Sequence, residues 1–557
     1  MFKRTIALIA LFILTGVLCE NRLPAEDLWQ TAQSQAATHR FSTLFTAQDV
    51  NRYLKDEKGL TDAVAWCRQT GVTKVYLEVF RGNFYAPKDT LIAARERFRK
   101  EGFIVEGCVT PTAVGKLSNG WKEISCYTDI PTQENVEKIF RTAAELFDVV
   151  MIDDFWFTDC SCNACQKAKG DQTWSQYRLA LMDKVSQERI LKPAREVNPK
   201  VKIIIKYPEW YDKFHERGYD VAHESELFDF TWIGTETRDP DNAEWGKKPQ
   251  YSAYWISQWA LAFSGDKMGG GWYDALGTTP KTYVEQARQT ILGQCRESML
   301  FCYSVLHGNH GPQDAEALRT EVPGLLKLAA FVKGEKTRGI ATFKPMNSDS
   351  GPDVYLFNFL GMLGLPMTAA TTFPTDAPSL LLTTHALADP ALEAESLKAL
   401  AAGKPILITS SLKAALPETL RAKFDAPQVR VLDLKTPPEK KESYEVQESV
   451  RTLDKMPQKE LDALRAPFLA ALGVTLSAPA KVSLYLYGND KYVLENFNDE
   501  PVTVEFSAKN QSAFEPVLAL PTGTPLPAMK AEPGKPALRL DLPPRSLLAF
   551  KAVAEKK

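Results

Sequence analysis

The chain has 557 residues, 44% of them hydrophobic and 24% charged, with apolar material for about two to four packed domains; neither a disordered polymer nor a membrane bundle fits. Lys and Arg number 67 against 69 Asp and Glu, a formal net charge of -2. There is no global positive field to hold a nucleic-acid backbone or an anionic bilayer, so polyanion binding is disfavoured as the main role.

At the N-terminus, Lys3 and Arg4 precede an apolar run from Thr5 to Leu18. It is too short to span a bilayer comfortably but suits the core of an export signal. Residues 1–20 are read as that signal, with a retained anchor as the alternative, and the mature chain is expected to be periplasmic or extracellular, with no membrane span.

From about Phe41 to Gly334 one theme repeats: a short run rich in Val, Ile and Phe, a polar loop, then a helical pattern. Strands are predicted at RFSTLF, at KVYLEVF from Lys74, FIVEGCV from Phe103, DVVMIDDFWF from Asp148, VKIIIKY from Val201, FDFTWIG from Phe228, GGGWYD from Gly269 and SMLFCYSV from Ser298. Amphipathic stretches such as ENVEKIFRTAAELF lie between them, so the alternation predicts a (β/α)8 barrel over residues 38–335. Charged residues fall where the strands end, the face that carries the site in such a barrel. Glu78 ends the second, Asp153 and Asp154 the fourth, Glu236 the sixth, Asp274 the seventh and His307 the eighth.

From Asp353 the runs DVYLFNFLGMLGLPM, SLLLTTHALAD and GKPILITSSLKAAL read as helix, buried strand, helix and strand, a doubly wound α/β domain over 340–434. A proline-bearing linker from Lys435 and a helix to about Leu472 occupy 435–478. Short alternating runs with Asn-Asp and Pro-Pro turns predict a β-sandwich over 479–557.

Three cysteines lie within six residues, Cys160, Cys162 and Cys165, too tight for independent disulfides and spaced for metal. Tetrahedral zinc needs one further ligand, and Cys126 is the best placed; four thiolates make a closed, structural site. Free thiols or a mixed disulfide are the alternative. Of Asp153 and Asp154, alternation lets at most one face the barrel mouth, and either could instead cap the following turn. Asp274 follows three glycines that allow close backbone approach. Trp210, Tyr211, Trp232, Tyr254, Trp255, Trp259 and Trp272 form a belt whose faces suit sugar rings, with core packing as the rival reading. Glu78, Trp210, Trp232, Trp272, Tyr273 and His307 are the expected substrate contacts, and Asp154, Asp274, Glu236 and Asp153 the carboxyls for a two-carboxyl glycoside hydrolysis. No G-x-S-x-G, H-E-x-x-H or phosphate loop occurs.

A barrel strand ending in two polar residues, then C-x-C-x-x-C, with one earlier cysteine in the preceding loop, resembles the family 42 β-galactosidases. The second domain agrees, since FNFLGMLGLPM, LLLTTHALAD and GKPILITSS resemble that family's class I amidotransferase-like domain. The resemblance implies that Cys126, Cys160, Cys162 and Cys165 hold a structural zinc and that the chain forms a homo-oligomer, a trimer. Asp153-Asp154 stand where that family has Asn-Glu, the Glu being acid/base, and Asp274 where it has its nucleophile. Retaining barrel enzymes of the α-galactosidase and α-fucosidase kind use an aspartate after the fourth strand as nucleophile, and on that analogy Glu236 is the acid. The expectation is an exported glycoside hydrolase acting on oligo- or polysaccharide; the alternative is a catalytically silent carbohydrate-binding protein on the same scaffold. An amidotransferase activity is a third reading, but residues 353–434 contain no cysteine.

Overall fold

The computed structural model describes residues 25–242, 244, 248–308, 310–433, 452–511, 513–529 and 538–553. The export segment and the linker from Lys435 lie outside them. Eight parallel strands close into a barrel: β1 Arg40–Phe45, β2 Val72–Arg81, β3 Ile104–Thr110, β4 Val149–Ile152, β5 Lys202–Tyr207, β6 Phe230–Gly234, β7 Met268–Asp274 and β8 Glu297–Phe301. β1 pairs with both β2 and β8, which closes the cylinder. The intervening helices start on local caps: Asp129 accepts from Thr132 N at the helix Ile130–Leu146, and Thr279 forms a capping box ahead of Pro280 at Pro280–Leu292.

β4 is shorter than its apolar run. Its ladder stops at Ile152; Asp153 N still donates to Val109 O, and Phe155 N then turns back to Asp153 O. The eighth run is also cut short, for Tyr303–His307 is helical.

Alternation along the strands sorts the barrel interior into layers. Leu44, Tyr76, Cys108, Met151, Ile204, Trp232, Trp272 and Met299 form one buried apolar layer. On its N-terminal side Lys74 bonds Glu106 at 2.7 Å and Glu297 at 3.1 Å, as a buried charge requires. The glycines of β7 admit the barrel's own side chains: a Cβ at Gly269 would lie 2.5 Å from Trp232 Nε1, and one at Gly271 3.0 Å from Thr235 and Thr290.

The second sheet contains β9 Ile340–Phe343, β10 Met367–Ala370, β11 Leu380–Leu382, β12 Ile406–Thr409 and β13 Val429–Leu432, all parallel in the order β10-β9-β11-β12-β13, the flavodoxin-like arrangement. The helix expected from Asp353 to Met367 is broken: Leu356–Leu360 is helical, Gly361–Leu363 is a 3-10 turn, and Met367 opens β10. Gly364 at φ +73 ends the turn, and Pro366 cannot continue it.

Seven antiparallel strands follow: β14 Val474–Ser477, β15 Val482–Tyr487, β16 Lys491–Asn496, β17 Val502–Ala508, β18 Ala513–Leu520, β19 Leu538–Leu542 and β20 Ser546–Val553. β15, β16, β20 and β18 make one sheet, edged by Thr337–Arg338, and β14, β17 and β19 the other.

The helix Tyr251–Ser264 joins the barrel to the second sheet. Tyr254 Oη donates to Met367 O, Trp255 Nε1 to Thr342 Oγ1 and Trp259 Nε1 to Lys344 O, and Trp255 stacks on Phe357 with ring centroids 4.4 Å apart. Much of the aromatic belt is therefore domain interface. Asp212 of the barrel completes it, with Lys344 Nζ at 3.1 Å and His385 Nε2 at 2.8 Å, all buried.

Candidate active site and cysteine cluster

The upper layer of the barrel interior is charged. Asp153, on the inward parity of Met151, accepts from Arg81 at 2.6 Å, Lys206 at 2.5 Å and Thr110 at 2.9 Å. Burial alone would raise its pKa, but Lys206 and then Arg81 outweigh that and hold the carboxyl well below its ordinary range. Lys206 also sits 3.7 Å from the centroid of the Trp272 ring. Glu78 is fully enclosed, accepting from Thr110 Oγ1, Arg81 Nε and Ala47 N. These two carboxylates order the mouth from below.

Asp153 is held in its charged form mainly by Lys206, so Lys206→Met is expected to destabilise the protein by about 3 kcal/mol at pH 7, the cost of removing one partner of a buried ion pair. Asp153→Asn combined with Lys206→Met should recover part of the loss, read from the shift in denaturant midpoint. Since the folded carboxyl titrates below the ordinary 3.8, its contribution is present above that pH and is lost as pH falls toward the folded value.

Asp154, one residue on and partly exposed, differs sharply. Burial, then the charge of Asp153, push its carboxyl up to about 8; Lys206 opposes this and Glu209 adds to it. Among the described residues no Lys or Arg forms an ion pair with it. Glu236 and Asp274 are brought together across the mouth by Arg238, which donates to Asp274 through Nε at 3.2 Å and Nη2 at 2.9 Å, and to Glu236 through Nη2 at 2.9 Å. Leu276 N adds a bond to Asp274 Oδ1 at 3.0 Å. Glu236 is raised well above its ordinary value, by burial and then by Asp274, against Arg238, with Glu209 and Asp154 adding repulsion. Arg238 itself has φ +57, and its N–H donates to Gln286 Oε1, which fixes the unusual turn. Glu209, paired with Lys248, is held below the usual range because Lys248 and Arg238 outweigh its burial.

Of the residues predicted from sequence, Asp153, Asp154, Glu236 and Asp274 thus gather at one face. The expected contacts Trp232 and Trp272 lie inside the barrel layer, 2% and 1% exposed. Tyr273 points outward onto Tyr283, Trp210 is buried among Phe157, Phe214 and Tyr219, and His307 is exposed, stacked on Tyr303. Sequence reading missed Lys206, Arg238, Glu209 and Lys248. A lysine inside the apolar run VKIIIKY was the available signal for Lys206; nothing local marked the others.

The C-x-C-x-x-C segment of the cysteine cluster follows Asp154 in the chain, beginning at Cys160. The sulfurs of Cys126, Cys160, Cys162 and Cys165 all fall within 4.8 Å of one another. Separations of 3.9 Å for Cys126–Cys162, 3.5 Å for Cys126–Cys165 and 3.7 Å for Cys162–Cys165 bracket the edge of about 3.8 Å expected for a tetrahedron with Zn–S bonds near 2.3 Å. Thr128 Oγ1 lies 3.0 Å from Cys165 Sγ and is itself bonded to Tyr177 Oη at 2.7 Å, a support behind the sulfur. The donor set therefore fits a closed metal site and is compatible with structural zinc.

Comparison with known proteins agrees with this arrangement. The family described as "Probable glycosyl hydrolase, catalytic domain" matches residues 25–321, and "Probable glycosyl hydrolase, C-terminal domain" matches residues 473–552. An uncharacterized protein of Saccharolobus solfataricus is 28% identical over 282 residues, 44% of this chain. The match spans 46% of that relative, about half its length. Among solved structures, α-L-fucosidase isoenzyme 2 from Paenibacillus thiaminolyticus superposes with a TM-score of 0.62 at 11% identity, covering 93% of this chain and 100% of that one. A GH42 β-galactosidase superposes with a TM-score of 0.58 at 10% identity, covering 92% and 98%. At such identities these two likenesses concern the fold.

Proposed function

The chain belongs to the family of probable glycosyl hydrolases, and from that premise we propose that it cleaves glycosidic bonds in oligo- or polysaccharides with Asp154 as general acid and Asp274 as the second carboxyl. The observation that carries this reading is the contrast between the two carboxyls. Asp154 is kept protonated near neutrality by burial and by Asp153, whereas Asp274 receives two hydrogen bonds from a guanidinium. Carboxyls whose surroundings differ in this way, one beside a carboxylate and one facing a guanidinium, divide into acid and nucleophile or base. Asp154 would protonate the leaving oxygen while the Asp274 carboxylate attacks the anomeric carbon or activates a water. Glu236, sharing Arg238 with Asp274, would hold a sugar hydroxyl or tune that carboxylate.

The cysteine cluster would hold zinc, whose part is to fix the loop behind Asp154; the proton and the attack both belong to carboxyls. The N-terminal Lys3-to-Leu18 pattern supports export; a homo-oligomer is what the sequence resemblance to the family 42 β-galactosidases implies.

Aryl α-L-fucosides and β-D-galactosides are the first substrates to try, since the similar folds carry those activities. The activity should fall as pH rises through about 8, because the acid is lost when Asp154 gives up its proton. A kcat/KM profile still rising above pH 9 would sink Asp154 as the acid. Sugar binding without turnover of any glycoside would favour the silent-binding alternative.

A further inference from the structure

With the expected aromatic contacts mostly in the core, exposed rings among the described residues include Tyr85, after β2, and Trp121, after β3. Trp121, in the loop between β3 and the helix Ile130–Leu146, is 42% exposed. Its ring centroid lies 5.5 Å from that of Phe155, the residue directly after Asp154, and 5.9 Å from that of Phe157. The indole therefore rests on the segment that carries the acid.

The loop is built to hold it there. Trp121 N donates to Asp159 Oδ2 at 2.7 Å and Ser118 Oγ to Asp159 Oδ1 at 2.5 Å, while Ser161 N donates to Asn119 Oδ1 at 2.8 Å. Asp159 is fixed from its other side by Arg217 at 3.1 Å. A Cβ on Gly120 would come within 2.4 Å of Asp159 Oδ2, so the close approach requires glycine. The same two strands of chain meet again a few residues on, at the sulfurs of Cys126 and Cys160, Cys162 and Cys165. Two independent fastenings thus fix an apolar ring that burial alone would not place in water.

We propose that Trp121, backed by Phe155, is a stacking platform for a neutral sugar unit adjoining the bond to be cleaved, which makes the preferred substrate an oligosaccharide rather than a simple monosaccharide glycoside. This rests on the glycosidase reading and deepens it. The apolar C–H face of a pyranose covers one indole face, and the ring's hydroxyls remain in water. Asp159 positions the platform and does not touch the sugar.

The test uses full-length chains carrying Asp154→Asn, alone and with Trp121→Ala or Trp121→Phe. Each is applied to an array of neutral oligosaccharides ending in galactose, fucose, glucose, xylose or mannose. The Asp154→Asn chain should bind a subset of the array. Trp121→Ala should weaken that binding about tenfold, equivalent to about 1.4 kcal/mol, and Trp121→Phe should restore most of it. Metal content and the circular dichroism spectrum should be the same in all three chains. With Asp154 intact, Trp121→Ala should raise KM for an oligosaccharide several-fold more than KM for the matching methyl monosaccharide glycoside, whose aglycone is too small to cover the indole. Binding unaffected by Trp121→Ala, or no binding of the Asp154→Asn chain to any sugar on the array, would overturn the platform. Hydrolysis of an unactivated oligosaccharide at an undiminished rate in the Asp154→Asn chain would overturn the acid assignment instead, and the comparison of sugar binding with and without the Trp121 indole would still decide the platform.

Discussion

Replacing Asp154 by Asn is expected to lower turnover of an unactivated oligosaccharide by about 10⁴-fold, the upper end of what a positioned general acid contributes. The same change should cost an aryl glycoside with a good leaving group far less, since that leaving group departs without a proton. Asp274→Asn should instead abolish turnover of both substrates, on the order of 10⁴-fold or more, because the attack on the anomeric carbon is lost whatever departs. The contrast follows from the surroundings of the two groups. Asp154 lies against Asp153, a carboxylate kept ionised by two cations, so a second charge there is disfavoured. Asp274 faces the guanidinium of Arg238. Steady-state kinetics on substrates of graded leaving-group acidity decides the matter, and an equal loss on all of them in the Asp154 variant would remove the acid role from it.

Metal analysis of the purified protein is expected to find about one zinc per chain. Cys160→Ser or Cys126→Ser should remove it and lower the thermal midpoint markedly. Metal binding to four thiolates is worth about 10–16 kcal/mol in small zinc domains, and even a fraction of that exceeds most single side-chain contributions. The loss should also reach activity. The cysteine loop shares Asp159 with the Trp121 loop and runs directly into the Asp154 segment, so a loosened cluster leaves the acid less well placed. Protein that is fully active and carries no metal would refute both statements.

Part of this architecture was legible without coordinates because it depends on neighbours in the chain. Eight apolar runs with helical spacers announce a barrel, and every one of those runs contributes a strand. C-x-C-x-x-C announces a metal site because three ligands already lie on one loop. The cut at Ile152 was not legible, since Phe155, Trp156 and Phe157 are as apolar as a strand. They leave the sheet because the chain turns after Asp153, and Trp156 packs instead against Tyr127.

Alternation and apolar run length are local properties, and they already put Glu78, Asp153, Asp154, Glu236 and Asp274 near strand ends, though not the residue at which β4 stops. What each carboxyl and each ring does depends on groups far away in the chain. Trp255 and Trp259 are covered by a domain that begins some eighty residues later in the chain, whereas Trp121 is left open to water. Asp153 and Asp154 are adjacent and chemically identical, yet Lys206 and Arg81 form ion pairs with the first, while at the second the charge of Lys206 does not offset burial and Asp153. A side chain's exposure and charge state depend on which distant groups the fold brings to it. Coulomb and desolvation energies depend on separation in space, and sequence spacing does not encode that separation.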